Sequence, residues 1–547
     1  MRRVLPVFLL AVCAFAQQPL IFNRSVLNAA SYMPPRLPGG AIAQGSIFSV
    51  FGARIGPATP QQVNAFPLST TFSGVSITVT QGSTTVNAIP IYVSSGQINA
   101  IMPSNAPIGT ASLRVTSPSG VTNVMTVHIA ASAFGIFTAT GTGLGPGILQ
   151  NFITQANQPI NSATIPAQPG QTIILWGTGL GPVANDAVAP TAGSLAAKVE
   201  VSVGGVPASV QYSGRTPCCS GVDQIVFQVP SNAPQGCWIP VYVRTNSSVV
   251  SNFVTMAITQ DGSSCLANNS PFFTPGNWGG VISMRVSTHE DIGTRSTVDV
   301  TGDYAVPVAY HQAASAFPFN PLLSWPPAGT CTVYTVKGDL LRGDTLPGAL
   351  PAGAKTLSFG AALTLSGAAG TKILQNLLPD LPMRYLGGSV SNNLFNNTLY
   401  LQPGAYQVSG APGGDVGAFT ASAAMPQPLT WTNRDQLVFV DRTQPLTVQW
   451  SGGSGSQVAV VGFGVDLPTD STTVFGCLAP AGATSLSVPA AVLANLPATR
   501  PNPLQSKSVI YLGNAPTGSA LSGVSGGGLN AGLALFENAL GKTVVWQ

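Results

Sequence analysis

Charged side chains are scarce in this chain of 547 residues. Asp, Glu, Lys and Arg together make up 7% of it, against about 25% in ordinary soluble proteins. The formal net charge is +4 and the basic residues are scattered, which excludes a nucleic-acid-binding surface. Hydrophobic residues reach 45%, so there is enough apolar area for folded cores and an intrinsically disordered chain is excluded.

The motifs of common enzyme and metal sites are missing as well. The sequence has no Walker loop, no G-x-G-x-x-G, no H-E-x-x-H and no C-x-x-C pair for zinc. Gly523–Gly527 matches G-x-S-x-G, but that motif acts only between a buried strand and a helix. Here it lies in a glycine-rich run and indicates a flexible turn. We therefore expect no catalytic residues, no cofactor and no metal.

Only the N-terminus carries a long apolar run. Two arginines precede the segment from Val4 to Phe15, which ends in a small-x-small cleavage pattern. This pattern predicts a secretory signal peptide over residues 1–16 and a secreted or cell-surface protein. A lipoprotein is disfavoured, because Val12 precedes Cys13 where a lipobox has a small residue. No later segment is long and apolar enough to span a membrane, so we expect none in the mature chain.

A pentapeptide that occurs twice reveals internal repetition. Pro103–Pro107 and Pro230–Pro234 are both PSNAP, and the upstream segments Gly45–Pro57 and Gly170–Pro182 share their glycines, an apolar run and a Gly-Pro ending. Repetition at a fixed period indicates a tandem architecture. The sequence therefore predicts two copies of one unit of roughly a hundred residues.

The periodicity of the side chains predicts strands. Ser76–Thr80 and Lys198–Val203 alternate polar and apolar residues, as half-buried strands do. Turn signals recur every 8–12 residues or so, and the helical stretches of a parallel α/β fold are missing. We expect an all-β fold: tandem immunoglobulin-like β-sandwiches followed by further β-rich, sandwich-like modules.

The order of these motifs resembles a known domain class. A Gly-flanked apolar strand, a V-x-V-G-G-x-x-A strand (Val201–Ala208) and a Q-I…V-P segment are similar to the IPT/TIG class of immunoglobulin-like domain. Over residues 24–262 the chain also resembles a duplicated domain of uncharacterised acidobacterial (Solibacter-type) secreted proteins, through Val26–Tyr32, Ser94–Ala100, Cys219–Ile225 and Ser251–Thr255. The resemblance implies a fold and an extracellular location and supplies no catalytic residues.

These features divide the chain into segments. We expect, in order, a signal peptide (1–16), an N-terminal segment (17–37), repeat 1 (38–131), a linker or hairpin (132–166), repeat 2 (167–262), a linker (263–274), a β-rich module (275–410) and a C-terminal sandwich-like module (411–547). The boundary between the last two modules is the least defined. Helices are predicted at Thr371–Leu378 and at Ala490–Leu496, the latter with Pro489 in its first turn.

Cys13 leaves with the signal peptide, and the mature chain keeps an even number of cysteines, which favours disulfides in an exported protein. They are Cys218, Cys219, Cys237, Cys265, Cys331 and Cys477. Adjacent cysteines rarely bridge each other, because the bond strains the peptide between them. We expect one of the adjacent pair to join Cys237 and the other Cys265, and Cys331 to join Cys477.

An acidic cluster and several tryptophans are the candidates for a site. His289, Glu290 and Asp291, with Asp299 and Asp303 nearby, could form a calcium or catalytic site. Without a D-x-D-x-D-G pattern, a solvated loop is favoured. The tryptophans expected in cores are Trp176, Trp238 and Trp450. Trp278, in Pro-Gly-Asn-Trp-Gly, is predicted to lie in a loop, where it is either an exposed ligand contact or a cover for the linker.

Three functions fit the sequence. A non-catalytic binding or scaffolding role, adhesion-like, is favoured by tandem modules without catalytic motifs, because sandwiches display variable loops on a rigid frame. A carbohydrate-binding or carbohydrate-active protein with its site after residue 275 is the alternative. A spacer without any ligand is the third. The expected partner is an extracellular protein or polysaccharide.

Overall fold

Strands form almost all of the regular structure. A computed structural model describes residues 18–268, 275–291, 297–321, 324–338, 354–375, 390–392, 399–453, 457–499, 508–515 and 525–547. The expected all-β fold class is confirmed. The predicted signal peptide lies outside the described residues. No helix in the described part of the chain is long and apolar enough to cross a membrane.

Repeat 1 and the segment before it form one β-sandwich. Its strands are β1 (Leu20–Asn28), β2 (Ile42–Ala43), β3 (Ile47–Ala53), β4 (Gln61–Gln62), β5 (Thr71–Phe72), β6 (Val75–Gln81), β7 (Thr84–Val93), β8 (Gln97–Ile101), β9 (Gly109–Ser117), β10 (Gly120–Val121) and β11 (Met125–Ala130). The strand order is β1-β3-β8-β7-β6-β9-β11-β2. β7 pairs with β8 in one layer and with β6 in the other.

Repeat 2 forms a second sandwich of the same kind. Its strands are β12 (Gly135–Ile136), β13 (Leu149–Asn151), β14 (Thr172–Thr178), β15 (Gly193–Ser194), β16 (Val199–Val203), β17 (Val206–Arg215), β18 (Asp223–Gln228), β19 (Gly236–Thr245), β20 (Val249–Val250) and β21 (Val254–Ile258), with a 3-10 helix at Cys265–Asn268. The order β14-β18-β17-β16-β19 repeats β3-β8-β7-β6-β9 of the first sandwich.

The longest central strand changes layer through a bulge in each repeat. The register of β7 shifts between Pro90 and Tyr92, and that of β17 shifts between Val210 and Tyr212. A bulge bends the strand and raises its twist, which lets one strand serve both layers. The repeated sequence therefore encodes a repeated strand topology.

The repeated pentapeptide forms the same turn in both sandwiches. Ala106 N–H donates to the Pro103 carbonyl and Ala233 N–H to the Pro230 carbonyl, at 2.9 and 3.0 Å. Both alanines are buried, at 1% and 7% exposure. The following glycine, Gly109 or Gly236, has a positive φ of 115° or 147°, which favours a residue without a Cβ.

The chain after residue 275 builds one large sheet and three smaller ones. Its strands are β22 (Gly276–Asp291), β23 (Thr297–Gln312), β24 (Cys331–Lys337), β25 (Lys355–Thr356), β26 (Ala362–Gly367), β27 (Gly370–Gln375), β28 (Val390–Asn392), β29 (Gly404–Gly410), β30 (Phe419–Met425), β31 (Thr430–Trp431), β32 (Phe439–Val440), β33 (Leu446–Ser451), β34 (Gln457–Asp466), β35 (Ser471–Leu478), β36 (Ser485–Val488), β37 (Ser508–Ala515), β38 (Ser525–Gly526), β39 (Ala531–Thr543) and β40 (Val545–Trp546). Helix α1 (Ala490–Leu493) and 3-10 helices at Arg434–Gln436 and Leu467–Thr469 complete it.

The large sheet has the order β24-β35-β34-β37-β39-β22-β23-β25. It draws strands from both sides of the module boundary expected at residue 410. The sheet of β27, β26, β29, β30 and β38 packs on it around Phe536 and Val281. The sheet of β31, β33 and β36 packs on it around Phe475 and Trp450.

One of the two helix predictions is wrong. Thr371–Leu378 was expected to be helical, but residues 371–375 belong to β27, which pairs with β26 as a hairpin closed at Gly367 and Gly370. Ile373 is 64% exposed and Leu374 1%, so the side chains alternate as in a strand. Residues 376–378 lie outside the described residues. The helix predicted at Ala490–Leu496 is present as the shorter α1.

The disulfides are Cys218–Cys219, Cys237–Cys265 and Cys331–Cys477. The pairing of Cys331 with Cys477 is confirmed, and the two residues lie directly opposite each other on β24 and β35. The expectation that the adjacent cysteines join Cys237 and Cys265 is wrong. They precede β18 and Cys237 follows it, and a strand of six residues separates its ends by about 20 Å.

Candidate ligand-binding cavity between the repeats

Trp278 is not the exposed contact that the sequence predicted. It lies in β22 and is 1% exposed, in a cluster with Tyr310 and Leu535. The neighbouring Gly279 suggested a loop, but it lies within the strand, where a Cβ would approach Leu529 to 2.8 Å. The glycine thus permits close packing and does not mark a turn.

The other tryptophans divide between core and surface. Trp238 and Trp450 are buried at 8% and 3% exposure, as predicted, and Trp238 packs beside Cys237 and Cys265. Trp176, also expected in a core, is only half-buried. Its indole N–H donates to Gln150 Oε1 at 2.7 Å, so it lies on the outer side of β14.

The acidic cluster lies on paired strands, so the predicted solvated loop is wrong. Asp303 is 2% exposed and forms a two-point ion pair with Arg285, at 2.8 and 3.0 Å. It also accepts the N–H groups of Tyr400 and Leu401 at 2.6 and 2.7 Å. The carboxylate thereby ties β23 to the chain that leads into β29, which is a structural role.

The remaining acids of this cluster do not form a pair of carboxylates across a cleft. His289 Nδ1 contacts Asp299 Oδ1 at 2.8 Å on one face of the sheet. Glu290 follows His289 on β22 and its side chain therefore points to the opposite face. The side chain of Asp291 lies outside the described residues. Glycoside hydrolysis needs two carboxyl groups facing one bond, whereas Asp299 shares the face of His289 and Glu290 points to the other face.

Glu537 on β39 is a partly buried carboxyl group that was not predicted from the sequence. Burial raises its pKa to about 7 from the model-compound value of 4.5. A carboxyl group whose pKa is raised by folding contributes stability below pH 4.5, and that stability is lost as the pH rises to 7. Glu537 therefore destabilises the fold at alkaline pH.

We expect Glu537→Gln to raise the free energy of unfolding at pH 8 by about 1–3 kcal/mol and to leave it nearly unchanged at pH 4, since glutamine cannot ionise. Urea unfolding followed by circular dichroism at both pH values measures this. Glu200→Gln, in an ion pair with Arg244 on an accessible surface, is the control and should change little. An equal gain at both pH values for Glu537→Gln would contradict the prediction.

The largest of four cavities in the described part of the chain is lined by residues of repeat 2 and lies beside its contacts with repeat 1. It measures about 160 Å³, and three others measure about 30, 10 and 10 Å³. The loop between β14 and β15 lines it with residues 183–186 and 188–191, and the end of β17 and the turn after it line it with Arg215, Ser220 and Gly221.

A buried ion pair forms one wall of this cavity. Arg215 Nη1 lies 3.0 Å from Asp223 Oδ1, and the two side chains are 5% and 0% exposed. They meet because Arg215 and Asp223 are directly opposite each other on β17 and β18. Asp223 Oδ2 also accepts the N–H groups of Gly179 and Leu180, both at 2.7 Å.

The protonation of Asp223 is shifted by its surroundings. Burial raises its pKa to about 6, although Arg215 and the two backbone N–H groups pull it down. The guanidinium extends the pair toward repeat 1: Nη2 donates to the carbonyls of Gly45 and Gly181 at 3.2 and 3.1 Å. One arginine thus connects both repeats and the cavity.

Repeat 1 holds the loop that covers the cavity. Ser104, from the first copy of the pentapeptide, donates its backbone N–H and its hydroxyl to the two Asp186 carboxylate oxygens, both at 2.7 Å. Ser104 Oγ accepts the Val183 N–H at 2.9 Å. Leu68 N–H donates to the Ala187 carbonyl at 2.7 Å. Ser231, the matching serine of the second copy, is exposed.

The vicinal disulfide lies in the turn that closes the cavity. Cys218 and Cys219 are exposed on the connection from β17 to β18, one residue before Ser220. The Cys219 carbonyl accepts the Val222 N–H at 3.2 Å. Thr216 Oγ1 accepts the Cys218 N–H at 3.4 Å. The bonded pair therefore restrains the segment that carries two cavity-lining residues.

The sequence analysis did not find this cavity. Asp223 belongs to the segment Cys219–Ile225, CSGVDQI. Its carboxylate at the start of an apolar strand was the one feature of the sequence that could have pointed to the buried ion pair. The described residues contain no group of three or more His, Cys, Asp or Glu that could hold a metal ion. The loop after β14 and the turn after β17 leave room for a small molecule between them.

The fold and this junction define a multi-domain protein of tandem immunoglobulin-like β-sandwiches with disulfide bonds. No protein-family model matches the chain, and no curated protein matches it.

Solved structures supply distant likenesses. Plexin A4's extracellular region is 12% identical over 43% of this chain and 17% of its own length, with a TM-score of 0.16. A tetra-tandem repeat from the extending region of a large adhesion protein is 10% identical over 96% and 98%, with a TM-score of 0.13. SGBP-B from a xyloglucan utilization locus in Bacteroides uniformis is 10% identical over 88% of each chain, with a TM-score of 0.15. TM-scores this low carry no argument, so function rests on this chain's own residues.

Proposed function

We propose that this protein is an exported, non-catalytic binding or scaffolding protein with an adhesion-like role. The observation that carries the proposal is the junction between the repeats, which is built from buried, directional contacts. A flexible string of modules does not need them. Binding surfaces that are already held in a fixed arrangement lose less conformational entropy when a ligand binds.

The junction between the repeats supports a rigid frame. Ile47 N–H donates to Thr178 Oγ1 at 2.8 Å, and that hydroxyl donates to the Gly221 carbonyl at 2.6 Å. Ile47, Ile101 and Val222 share an apolar cluster that crosses the same boundary. Interfaces within a chain move by default unless they are large and apolar, and this one combines apolar packing with buried polar contacts.

Repeat 2 is held to the following unit in a similar way. Trp238 donates its indole N–H to the Pro318 carbonyl at 3.2 Å. Phe253 belongs to the same core cluster as Val333 and Trp450, and it stacks on Tyr242 with ring centroids 4.5 Å apart. A scaffold whose three parts are packed together in this manner presents its loops in one arrangement.

The absence of catalysis is proposed because the acidic residues Asp303 and Asp299 are engaged in other contacts. Asp303 is saturated by Arg285 and two backbone N–H groups, and Asp299 pairs with His289. Neither is free to act as a general acid beside a second carboxylate. The proposal of export rests on three disulfides, which persist in oxidising compartments.

The same proposal places the chain among duplicated IPT/TIG-like secreted proteins. Its support is the pair of sandwiches with equivalent strand order and equivalent PSNAP turns. The ligand surface of such a protein is expected in loops and at junctions between modules.

The full mature chain, screened against arrays of polysaccharides and extracellular matrix proteins, tests this function. We expect saturable binding to at least one ligand, with no reducing ends released from any polysaccharide. Release of reducing sugar that Glu290→Gln abolishes would establish the carbohydrate-active alternative. Absence of any ligand, with an extended rod in small-angle scattering, would favour a spacer.

A further inference from the structure

We infer that the cavity of repeat 2, beside its junction with repeat 1, is a binding site for one neutral sugar ring, the end of a glycan chain or a free monosaccharide. This inference rests on the proposed binding function and names its ligand class. Its basis is the size of the cavity, the charge balance of its wall and two polar groups that the protein leaves unsatisfied.

The size of the cavity fits a small ring. A buried water needs about 10–15 Å³ of such space, so about 160 Å³ has room for roughly ten waters. The other three cavities, at 30 Å³ or less, hold at most a few. Ligand pockets for larger organic molecules measure about 300–1,000 Å³. This cavity is smaller, so it has room for one sugar ring and not for a larger ligand.

The charges on its wall are already compensated. Arg215 is paired with Asp223, and both oxygens of Asp186 accept hydrogen bonds from Ser104. One positive group, Arg215, and two carboxylates, Asp223 and Asp186, leave the wall without a net positive charge. An anionic ligand would therefore meet repulsion, which excludes phosphates and uronic acids as preferred ligands.

Apart from the ion-paired Nη1 of Arg215, two polar groups on the wall have no hydrogen-bond partner among the described residues. They are Nε of Arg215, a residue 4% exposed, and the buried hydroxyl oxygen of Ser220. A buried donor without an acceptor costs free energy until a ligand or water supplies one. Asn185 and Thr191 also line the cavity and add both donors and acceptors.

The rest of the lining is apolar. Val183, Val188 and Pro190 face the same space. A pyranose has hydroxyl groups that donate and accept hydrogen bonds at its edge and C–H groups on its faces. It therefore matches a cavity that combines unsatisfied polar groups with aliphatic walls, whereas a purely apolar ligand would leave the Arg215 and Ser220 groups unsatisfied.

The test is a calorimetric and saturation-transfer NMR titration of the full mature chain with glucose, galactose, mannose, xylose and N-acetylglucosamine. We expect at least one of them to bind, and glucuronate to bind at least ten-fold more weakly than the best neutral sugar. Ala184→Phe, which fills the cavity, should abolish binding, and Ser220→Ala should weaken it about five- to twenty-fold. Ala58→Phe, at an exposed position outside the cavity, is the matched control and should bind as the parent does.

Thermal unfolding of each variant verifies that it is folded. Binding of a sugar or a glycan that is unchanged in folded Ala184→Phe and Ser220→Ala overturns the cavity assignment and leaves the proposed binding function intact. Binding only to matrix proteins has the same consequence. Glucuronate bound as tightly as the neutral sugars overturns the assignment of a neutral ligand. Absence of every ligand overturns both proposals.

Discussion

Replacing Arg215 by methionine is expected to lower the free energy of unfolding at pH 7 by about 3–5 kcal/mol, the usual cost of removing one partner of a buried ion pair. Asp223 is 0% exposed, so its carboxylate cannot turn to solvent. The change also removes the hydrogen bond to Gly45 that connects the repeats and the one to Gly181 within repeat 2. Urea unfolding of the full chain, followed by circular dichroism and by tryptophan fluorescence, measures the loss.

The effect of this substitution should depend on pH. Burial raises the pKa of Asp223, and without Arg215 only the two backbone N–H groups lower it. The pKa therefore rises further above 6. The carboxyl group then protonates in the folded state at moderately acid pH, and the loss is expected to shrink between pH 8 and pH 5. Asp223→Asn in the same background should recover part of the loss at pH 8.

Arg244→Met is the matched control for Arg215→Met. Arg244 forms an analogous cross-strand pair with Glu200, but the two side chains are 43% and 36% exposed. Exposed pairs contribute about 0–1 kcal/mol, so little change is expected. Equal losses for the two arginine variants would refute the claim that the buried pair holds the junction.

Removing the Cys331–Cys477 disulfide through the double alanine variant is expected to destabilise the unit after residue 275 by about 5 kcal/mol. The bond closes a loop across 146 positions, and in the chain-entropy model the cost of opening such a loop is about 5 kcal/mol. The two cysteines lie directly opposite each other on paired strands, so the bond joins neighbouring strands of one sheet. The urea midpoint of the full chain reports the change.

The other two disulfides provide a graded comparison. Cys237–Cys265 spans 28 positions and Cys218–Cys219 spans one. Their double alanine variants should cost about 3.5 kcal/mol and less than about 1 kcal/mol in the same model. A vicinal variant as unstable as the Cys331–Cys477 variant would show that loop closure is not the source of the stabilisation.

Much of the fold could be predicted from neighbouring residues. Ser76–Thr80 alternates in sequence, and β6 occupies Val75–Gln81 with alternating burial. The two PSNAP segments form equivalent turns because identical local sequences have the same backbone preferences. Cys331 and Cys477 were paired in advance from the count of cysteines, and the register of β24 and β35 places them opposite each other.

Two predictions made from local sequence pattern were wrong. Residues 371–375 have a helical pattern, but the hairpin with β26 and the alternating burial of Ile373 and Leu374 outweigh it. Trp278 has turn residues beside it, yet it is buried in a cluster with Trp238 and Tyr310. In both cases, tertiary contacts overrode local propensity.

The sequence contained, in its spacing and alternation, the strands, the duplication and the supply of cysteines, because those properties depend on residues close together in the chain. The pairing of the adjacent cysteines, the burial of Trp278 and the meeting of Arg215 with Asp223 depend on strand pairing and packing in the folded modules. The contacts that hold the cavity loop depend on how two sandwiches dock. That docking joins Ser104 to Asp186 and Gly45 to Arg215, residues far apart in sequence. Contacts of this kind leave no periodic trace, so they appear only when the chain is folded.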